Sequence, residues 1–279
     1  MMFRSSSVGS VLVCATGALG LAVAESASAG TWVSASDPFI SIRADAGPYQ
    51  GVFNVPLSAA TEFHDPDPLS GGDLWGWTAA SNTPIMDGAH TVALLVDMNV
   101  FAARLPVLDS LSNPTGQFRW GISMSYNVQA GSDATTFTLC SPELLFGPIS
   151  NAYGTASATM GGTSQPNGSS SYDGISINPA LPSGLGFAAL FNGSPTFRDY
   201  FASPLTNVGS GSVGAAGNMT VPGVDEFVAD PVSSIQSKYK FTLSAFDTSA
   251  GTSDYSITPA PGAAALFGLA GLIGLRRKR

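Results

Sequence analysis

The chain has 279 residues, of which 11% are charged, and its formal net charge is −8. Between residues 30 and 258 it is more acidic, with six Lys and Arg against 18 Asp and Glu, a net charge of −12. Because nucleic acids are bound through Lys and Arg, we expect no nucleic-acid partner. Cys14 and Cys140 are the only cysteines, and the segment that contains Cys14 is predicted below to be removed, so no intramolecular disulfide is expected.

The first 29 residues have the three parts of a secretory signal peptide. Arg4 supplies the positive charge, residues 11–24 form an apolar run, and Ala27 and Ala29 provide the small-residue cleavage pattern. The apolar run is shorter than the roughly 20 residues of a membrane-spanning helix, which is the alternative interpretation. We predict cleavage after Ala29, which leaves Gly30 as the mature N-terminus.

Residues 30–258 show the period-2 alternation of half-buried strands, and no window has a convincing helical period. The clearest strands are predicted over residues 91–100, 117–128 and 239–245. Shorter strands are predicted over residues 39–44, 52–57, 135–140, 172–177, 185–191 and 254–257. Many strands separated by turn residues predict one all-β domain, an antiparallel β-sandwich or jelly roll.

An acidic segment runs from His64 to Asp73 and includes Asp65 and Asp67. Closely spaced oxygen ligands on a turn are the ligands that calcium takes. We therefore consider Asp65, Asp67 and Asp73 a candidate calcium site. The alternative is a solvated turn in which the carboxylates accept hydrogen bonds from local backbone N–H groups.

Trp75 and Trp77 follow this segment and share one face if the chain is extended there. A pair of indoles on one face could stack on sugar rings, so these residues are candidate glycan contacts. Packing into the hydrophobic core is the alternative.

Two stretches rich in Gly and Ser are interpreted as loops. Residues 154–174 read as a long loop or a boundary between half-domains, and residues 208–217 form a second such stretch. The string Gly209 to Gly214 matches the dinucleotide fingerprint in letters, but neither the strand before it nor the helix after it is predicted. A flexible loop is therefore favoured over a nucleotide site.

Catalytic motifs are absent from the sequence. Only His64 and His90 could serve as imidazole bases, and no G-x-S-x-G elbow or zinc-protease motif occurs. No reaction is indicated by these residues.

The C-terminal segment, residues 259–279, has three parts. Pro259, Ala260, Pro261 and Gly262 precede an apolar stretch over residues 263–275, and four basic residues close the chain. Thirteen helical residues would extend about 20 Å, which is short of a hydrocarbon core of roughly 30 Å. Basic residues after an apolar stretch favour a cytoplasmic end, so we predict a short hydrophobic helix that holds the exported chain at the membrane transiently.

This order of parts resembles the PEP-CTERM sorting signal, with Ala260 where the family usually has Glu. The resemblance covers residues 259–279 alone. It implies processing by an exosortase-like enzyme in a Gram-negative bacterium that makes extracellular polysaccharide.

The sequence therefore predicts an exported cell-surface or extracellular-matrix protein, non-enzymatic and associated with exopolysaccharide. The alternative is a carbohydrate-binding or glycoside-hydrolase jelly roll. Two carboxylates about 5 to 10 Å apart in a cleft would favour the hydrolase, whereas a flat polar surface would favour the matrix protein.

Overall fold

The computed structural model describes residues 32–33, 38–64, 72–108, 112–167, 171–218, 225–228 and 231–260. Several predicted site residues lie outside these ranges: Ala27, Ala29, Gly30, Asp65, Asp67, Pro261 and Gly262. The predicted signal peptide and the whole of the predicted C-terminal helix, residues 263–275, lie outside them too. Among the described residues, no helix has the length and hydropathy that a membrane span requires.

Nearly all of the described chain is β-strand, and a single turn of 3-10 helix covers Leu57–Ala59. The strands in chain order are β1 (Ile40–Ala46), β2 (Tyr49–Val55), β3 (Thr61–His64), β4 (Asp73–Thr78), β5 (Thr83–Asp87), β6 (His90–Leu108), β7 (Pro114–Ala130), β8 (Thr135–Cys140), β9 (Leu144–Ile149), β10 (Ala152–Thr163), β11 (Ile175–Pro179), β12 (Phe187–Phe191), β13 (Thr196–Tyr200), β14 (Leu205–Asn207), β15 (Ser212–Asn218), β16 (Glu226–Val228), β17 (Val232–Leu243) and β18 (Thr248–Pro259).

The strands form two antiparallel sheets that pack face to face. Sheet A has the order β13-β12-β17-β8-β1-β2, with β9 and β11 also paired to β17 and β14 paired to β11. Sheet B has the order β15-β10-β18-β7-β6-β4-β3, with β16 paired to β10 and β5 paired to β6. The predicted all-β sandwich is confirmed.

The long alternating segments lie where the sequence predicts strands, in β6, β7 and β17. The interpretation of residues 154–174 as a loop is wrong for residues 154–163. These residues belong to β10, which lies between β15 and β18 in sheet B. Residues 212–217 are likewise a strand, β15, at the edge of that sheet. Small side chains carry a weak hydrophobic signal, and both strands are defined by the neighbours that pair with them.

The core lies between the inner faces of the two sheets. Sheet A contributes large buried side chains such as Phe137, Tyr239 and Phe241, and sheet B contributes Met124 and Tyr255. Many core rings touch: Tyr126 of sheet B lies edge-on to Tyr239 with ring centroids 4.9 Å apart. Burial of these faces supplies the driving force for folding.

Two tyrosines join the sheets through hydrogen bonds as well as through packing. The Tyr239 hydroxyl of sheet A donates to the Thr252 carbonyl of sheet B at 2.5 Å and lies 3.1 Å from the Thr159 carbonyl. The Tyr200 hydroxyl donates to the Ala156 carbonyl at 2.9 Å. Burial raises the pKa of Tyr239 above its ordinary value, so the hydroxyl keeps its proton.

Two glycines make room for tyrosine rings of the core, Gly251 for Tyr126 and Gly217 for Tyr200. A Cβ on Gly251 would lie 2.7 Å from the Tyr126 ring, and a Cβ on Gly217 would lie 2.3 Å from the Tyr200 ring. Both distances are too short for a carbon contact, so glycine is required for the rings to lie against the backbone of sheet B.

We predict that Tyr239→Phe lowers the free energy of unfolding by about 1–3 kcal/mol, because buried carbonyl groups lose their donor. Tyr255→Phe is the matched control, because the buried Tyr255 hydroxyl has no hydrogen-bond partner among the described residues. Urea unfolding followed by tryptophan fluorescence measures both. Equal losses in the two variants would contradict the role assigned to the Tyr239 hydroxyl.

Candidate functional site

The outer face of sheet B is polar along its central strands β7 and β18. On β7 the inward positions are large and apolar, whereas the inward positions of β18 combine Tyr255 and Ile257 with small residues; the outward positions of both strands are mostly Ser, Thr, Asn and Gly. This follows from the alternation of side chains along a strand, because polar residues at every second position reach one face.

One row of short polar side chains crosses five strands in register. Thr78 pairs with Asn99, Asn99 with Ser125, Ser125 with Thr252, and Thr252 with Thr159. The Thr78 hydroxyl donates to the Asn99 side-chain carbonyl at 2.7 Å, and the hydroxyls of Thr159 and Thr252 are 2.8 Å apart. Strand pairing thus places hydroxyl and amide donors and acceptors in one line across the sheet.

A shallow groove of about 230 Å³ lies beside this row. Its apolar wall includes Phe101, which is 40% exposed, and Leu105, which is 48% exposed. Polar groups line its other side: Arg119, Ser123, Thr155, Asp254 and Ser256. The Arg119 guanidinium donates to the Ser256 hydroxyl at 2.7 Å, so its position is fixed.

A second groove of about 270 Å³ continues along the same face. Its lining includes Asp97, Asn127 and the Ser125 and Thr252 of the polar row. The centre of the face is low because its side chains are short, whereas Phe101 and Leu105 stand higher on β6. Together the two grooves extend along β7 from residue 119 to residue 127 and along β18 from residue 250 to residue 256, which is about 26 Å and about 20 Å at strand rise.

The carboxylates of these grooves are far apart. Asp254 lies opposite Ser123, and Asp97 lies opposite Asn127, four residues further along β7 and on its other side. Strand spacing places their Cα atoms about 17 Å apart. A glycosidase pair needs roughly 5 to 10 Å, so these two carboxylates do not form one.

The predicted glycan contacts, Trp75 and Trp77, lie on β4 and face the interior. Their register partners on β6 are Ala102 and Val100, which are both buried, and both indoles are partly buried against the core. Trp77 also lies near Phe53, with ring centroids 6.1 Å apart. This placement favours the core-packing alternative over glycan stacking.

Asp73, one of the predicted calcium ligands, is completely buried. Its carboxylate lies 2.6 Å from the Arg104 guanidinium, which itself stacks over the Phe118 ring at 4.5 Å. Among the described residues, no group of three His, Cys, Asp or Glu side chains could hold a metal ion. Since Asp65 and Asp67 lie outside those residues, calcium binding stays a prediction.

The predicted sorting motif begins at the end of a paired strand. Pro259 is the last residue of β18 and pairs with Ala152 of β10, and Ala260 follows directly. The folded sheet and the predicted tail are therefore contiguous, and no residue separates them.

Sequence reasoning missed the residues of the outer face because each is an ordinary Ser, Thr or Asn. Period-2 alternation was the available signal, and it places them outward on β7 and β18. Which outward residues become neighbours depends on strand pairing, which alternation leaves open.

Comparison with protein-family models gives no match, and comparison with curated proteins gives none either. Among solved structures, the chain is similar to a chain of infectious bursal disease virus, Gx strain, at 10% identity over 80% of this chain, with a TM-score of 0.26. A chain of the Gt strain matches at 11% identity over 82% of this chain and 78% of its own length, with a TM-score of 0.15. The chain spans 56% of the length of the Gx-strain chain. Likeness at these scores carries no argument about fold or function.

We predict that Asp73→Asn lowers the free energy of unfolding by about 3–5 kcal/mol, because it leaves the Arg104 charge without its carboxylate in a mostly buried position. The loss should be the same in calcium and in chelator. Asp45→Asn, which breaks the exposed pair with Arg43, is the matched control and should cost less than about 1 kcal/mol. A loss seen only in the presence of calcium would instead make Asp73 a metal ligand.

Proposed function

We propose that this chain is an exported, non-enzymatic protein of the cell surface or extracellular matrix, and that the outer face of sheet B binds polysaccharide. The observation that carries the binding role is the in-register polar row with its two adjoining grooves. Hydroxyls and amides at fixed spacing complement the hydroxyls of a sugar chain, and the exposed Phe101 offers an apolar ring beside them.

An open, elongated groove suits a polymer better than a small molecule. Small-molecule sites are concave and enclose most of the ligand, whereas these grooves are shallow and extend along the strands. A sugar chain lying along β7 and β18 would meet polar groups from β6, β7, β18 and β10 at once.

Binding is favoured over hydrolysis by the arrangement of carboxylates. Each groove has one carboxylate in its lining, Asp254 in the first and Asp97 in the second, and their separation is too large for acid and nucleophile to act on one bond. A ligand held here would be bound and released unchanged.

Export and surface sorting are supported by the two ends of the sequence. The signal-like segment to Ala29 and the tail from Pro259 are the features of a chain that crosses one membrane and is then processed. Matrix polysaccharide is the ligand that such a protein would meet in quantity.

We predict that Gly121→Leu weakens polysaccharide binding at least severalfold, because its side chain would occupy the floor of the first groove. The matched control is Gly147→Leu on β9, where an added Cβ meets no atom within 4 Å. Affinity electrophoresis of the full chain in gels with neutral polysaccharide, either dextran or the neutral fraction of the matrix from the producing cells, measures retention. No retention in any gel, or equal retention of both variants, would contradict the proposal.

A second prediction concerns processing: the native protein should begin at Gly30 and lack the apolar segment 263–275. Intact-mass and N-terminal measurements on protein from the producing cells provide the test. Recovery of the full chain from Met1 to Arg279 would contradict export and sorting, whatever the result of the binding experiment.

A further inference from the structure

The outer face of sheet A differs from that of sheet B in its charge. Residues 30–258 have only six cationic side chains, and sheet A places three of them on this face: Arg43 on β1 and Lys238 and Lys240 on β17. We call these three residues the basic patch.

The register shows that the basic patch is compact. Arg43 lies opposite Thr138 of β8, and Thr138 lies opposite Lys240, so the two cations flank one threonine. Lys238 is two residues from Lys240 on the same face of β17 and lies opposite Cys140. Strand spacing places Arg43 and Lys240 about 10 Å apart and the two lysines about 7 Å apart at Cα.

The surrounding side chains are short, so the cations stand above the sheet. Thr136 and Thr242 share a hydrogen bond of 2.7 Å in the next row, and Ser41 lies opposite Cys140 in the row of Lys238. Hydroxyls therefore lie between the cations, and the carboxylate on this face of β1 is Asp45, which pairs with Arg43. The hydroxyls could donate to an anionic ligand that the cations attract.

Neither of the two lysines has an ion-pair partner among the described residues. Among the described ion pairs, Arg43 is paired with Asp45, Arg104 with Asp73 and Arg198 with Glu226, but neither Lys238 nor Lys240 is paired. Burial raises the pKa of the Cys140 thiol, and the nearby Lys238 charge opposes that rise. Within residues 30–258, where acids outnumber bases three to one, two lysines without a described ion-pair partner on one face are well placed for an external anion.

We infer that the basic patch binds an acidic polysaccharide through its carboxylate groups. This inference rests on the proposed function in taking polysaccharide as the ligand class, and it assigns a second site on the opposite face of the sandwich. A polyuronate fits better than nucleic acid, because duplex DNA carries one charge per roughly 1.7 Å and residues 30–258, with a net charge of −12, repel so dense a polyanion.

Two sites on opposite faces would let one molecule bridge two polysaccharide chains. The outer face of sheet B would hold neutral segments along its polar row, and the basic patch would hold acidic segments. A bridging protein of this kind would cross-link a matrix without any covalent step.

The test compares binding of the full chain to alginate, a polyuronate, and to neutral dextran. Lys238→Gln with Lys240→Gln should weaken alginate binding about tenfold, since two exposed ion pairs are lost, and should leave retention by dextran unchanged. The charge-preserving control, Lys238→Arg with Lys240→Arg, should bind alginate like the wild type. Wild-type alginate binding should also weaken at high salt, because about 1 M salt screens charges beyond roughly 3 Å.

Several outcomes would overturn the inference: no alginate binding by the wild type, equal binding by the Gln and Arg variants, or tighter binding of random-sequence duplex DNA than of alginate. Unfolding midpoints of all variants identify any loss that comes from misfolding. Gly121→Leu separates the two sites, because it should reduce retention by neutral polysaccharide and leave alginate binding at the basic patch intact. Failure at one face therefore does not decide the other.

Discussion

The two sheets of this protein must stay face to face without a disulfide, and the structure depends on that contact. Hydrophobic burial supplies most of the stabilisation but sets no particular alignment. The hydrogen bond from Tyr239 to the Thr252 carbonyl sets the alignment of the sheets, because a directional bond from β17 to β18 fixes one sheet relative to the other. Gly251 leaves room for the ring of Tyr126, its neighbour in sheet B, which lies edge-on to Tyr239 of sheet A.

Because the inner faces of the two sheets are buried against each other, their outer faces are the surfaces available for binding. The carbonyls that receive the Tyr239 hydroxyl belong to Thr252 and Thr159, whose own hydroxyls lie on the opposite side of sheet B within the polar row. The element that aligns the sheets thus lies directly beneath the proposed polysaccharide site. The backbone of Thr252 and Thr159 is held by strand pairing and by the Tyr239 hydroxyl. Their side chains are therefore positioned before a polymer binds, which reduces the conformational entropy lost on binding.

The two outer faces differ in the groups they present, and this difference follows from the small number of cations. Arg104 and Arg198 are held in ion pairs with Asp73 and Glu226, and Arg119 is bonded to Ser256 beside the first groove. Lys238 and Lys240 remain for the outer face of sheet A. Sheet B therefore presents mainly hydroxyls and amides, while sheet A combines hydroxyls with positive charge, and the two faces should select different segments of a mixed matrix.

The sequence alone determined the strand character of β6, β7 and β17, because large apolar residues at every second position allow one buried face. It also predicts export and surface sorting through segments at both ends, and these stay predictions because the segments lie almost entirely outside the described residues. It could not indicate β10 and β15, whose Gly, Ala, Ser and Thr residues become strands through their neighbours. Only the tertiary structure decided the two sites, since Thr159 and Thr252 are 93 residues apart and Arg43 meets Lys240 across β8. Such neighbours are set by strand order and register, which depend on the packing of the whole sandwich.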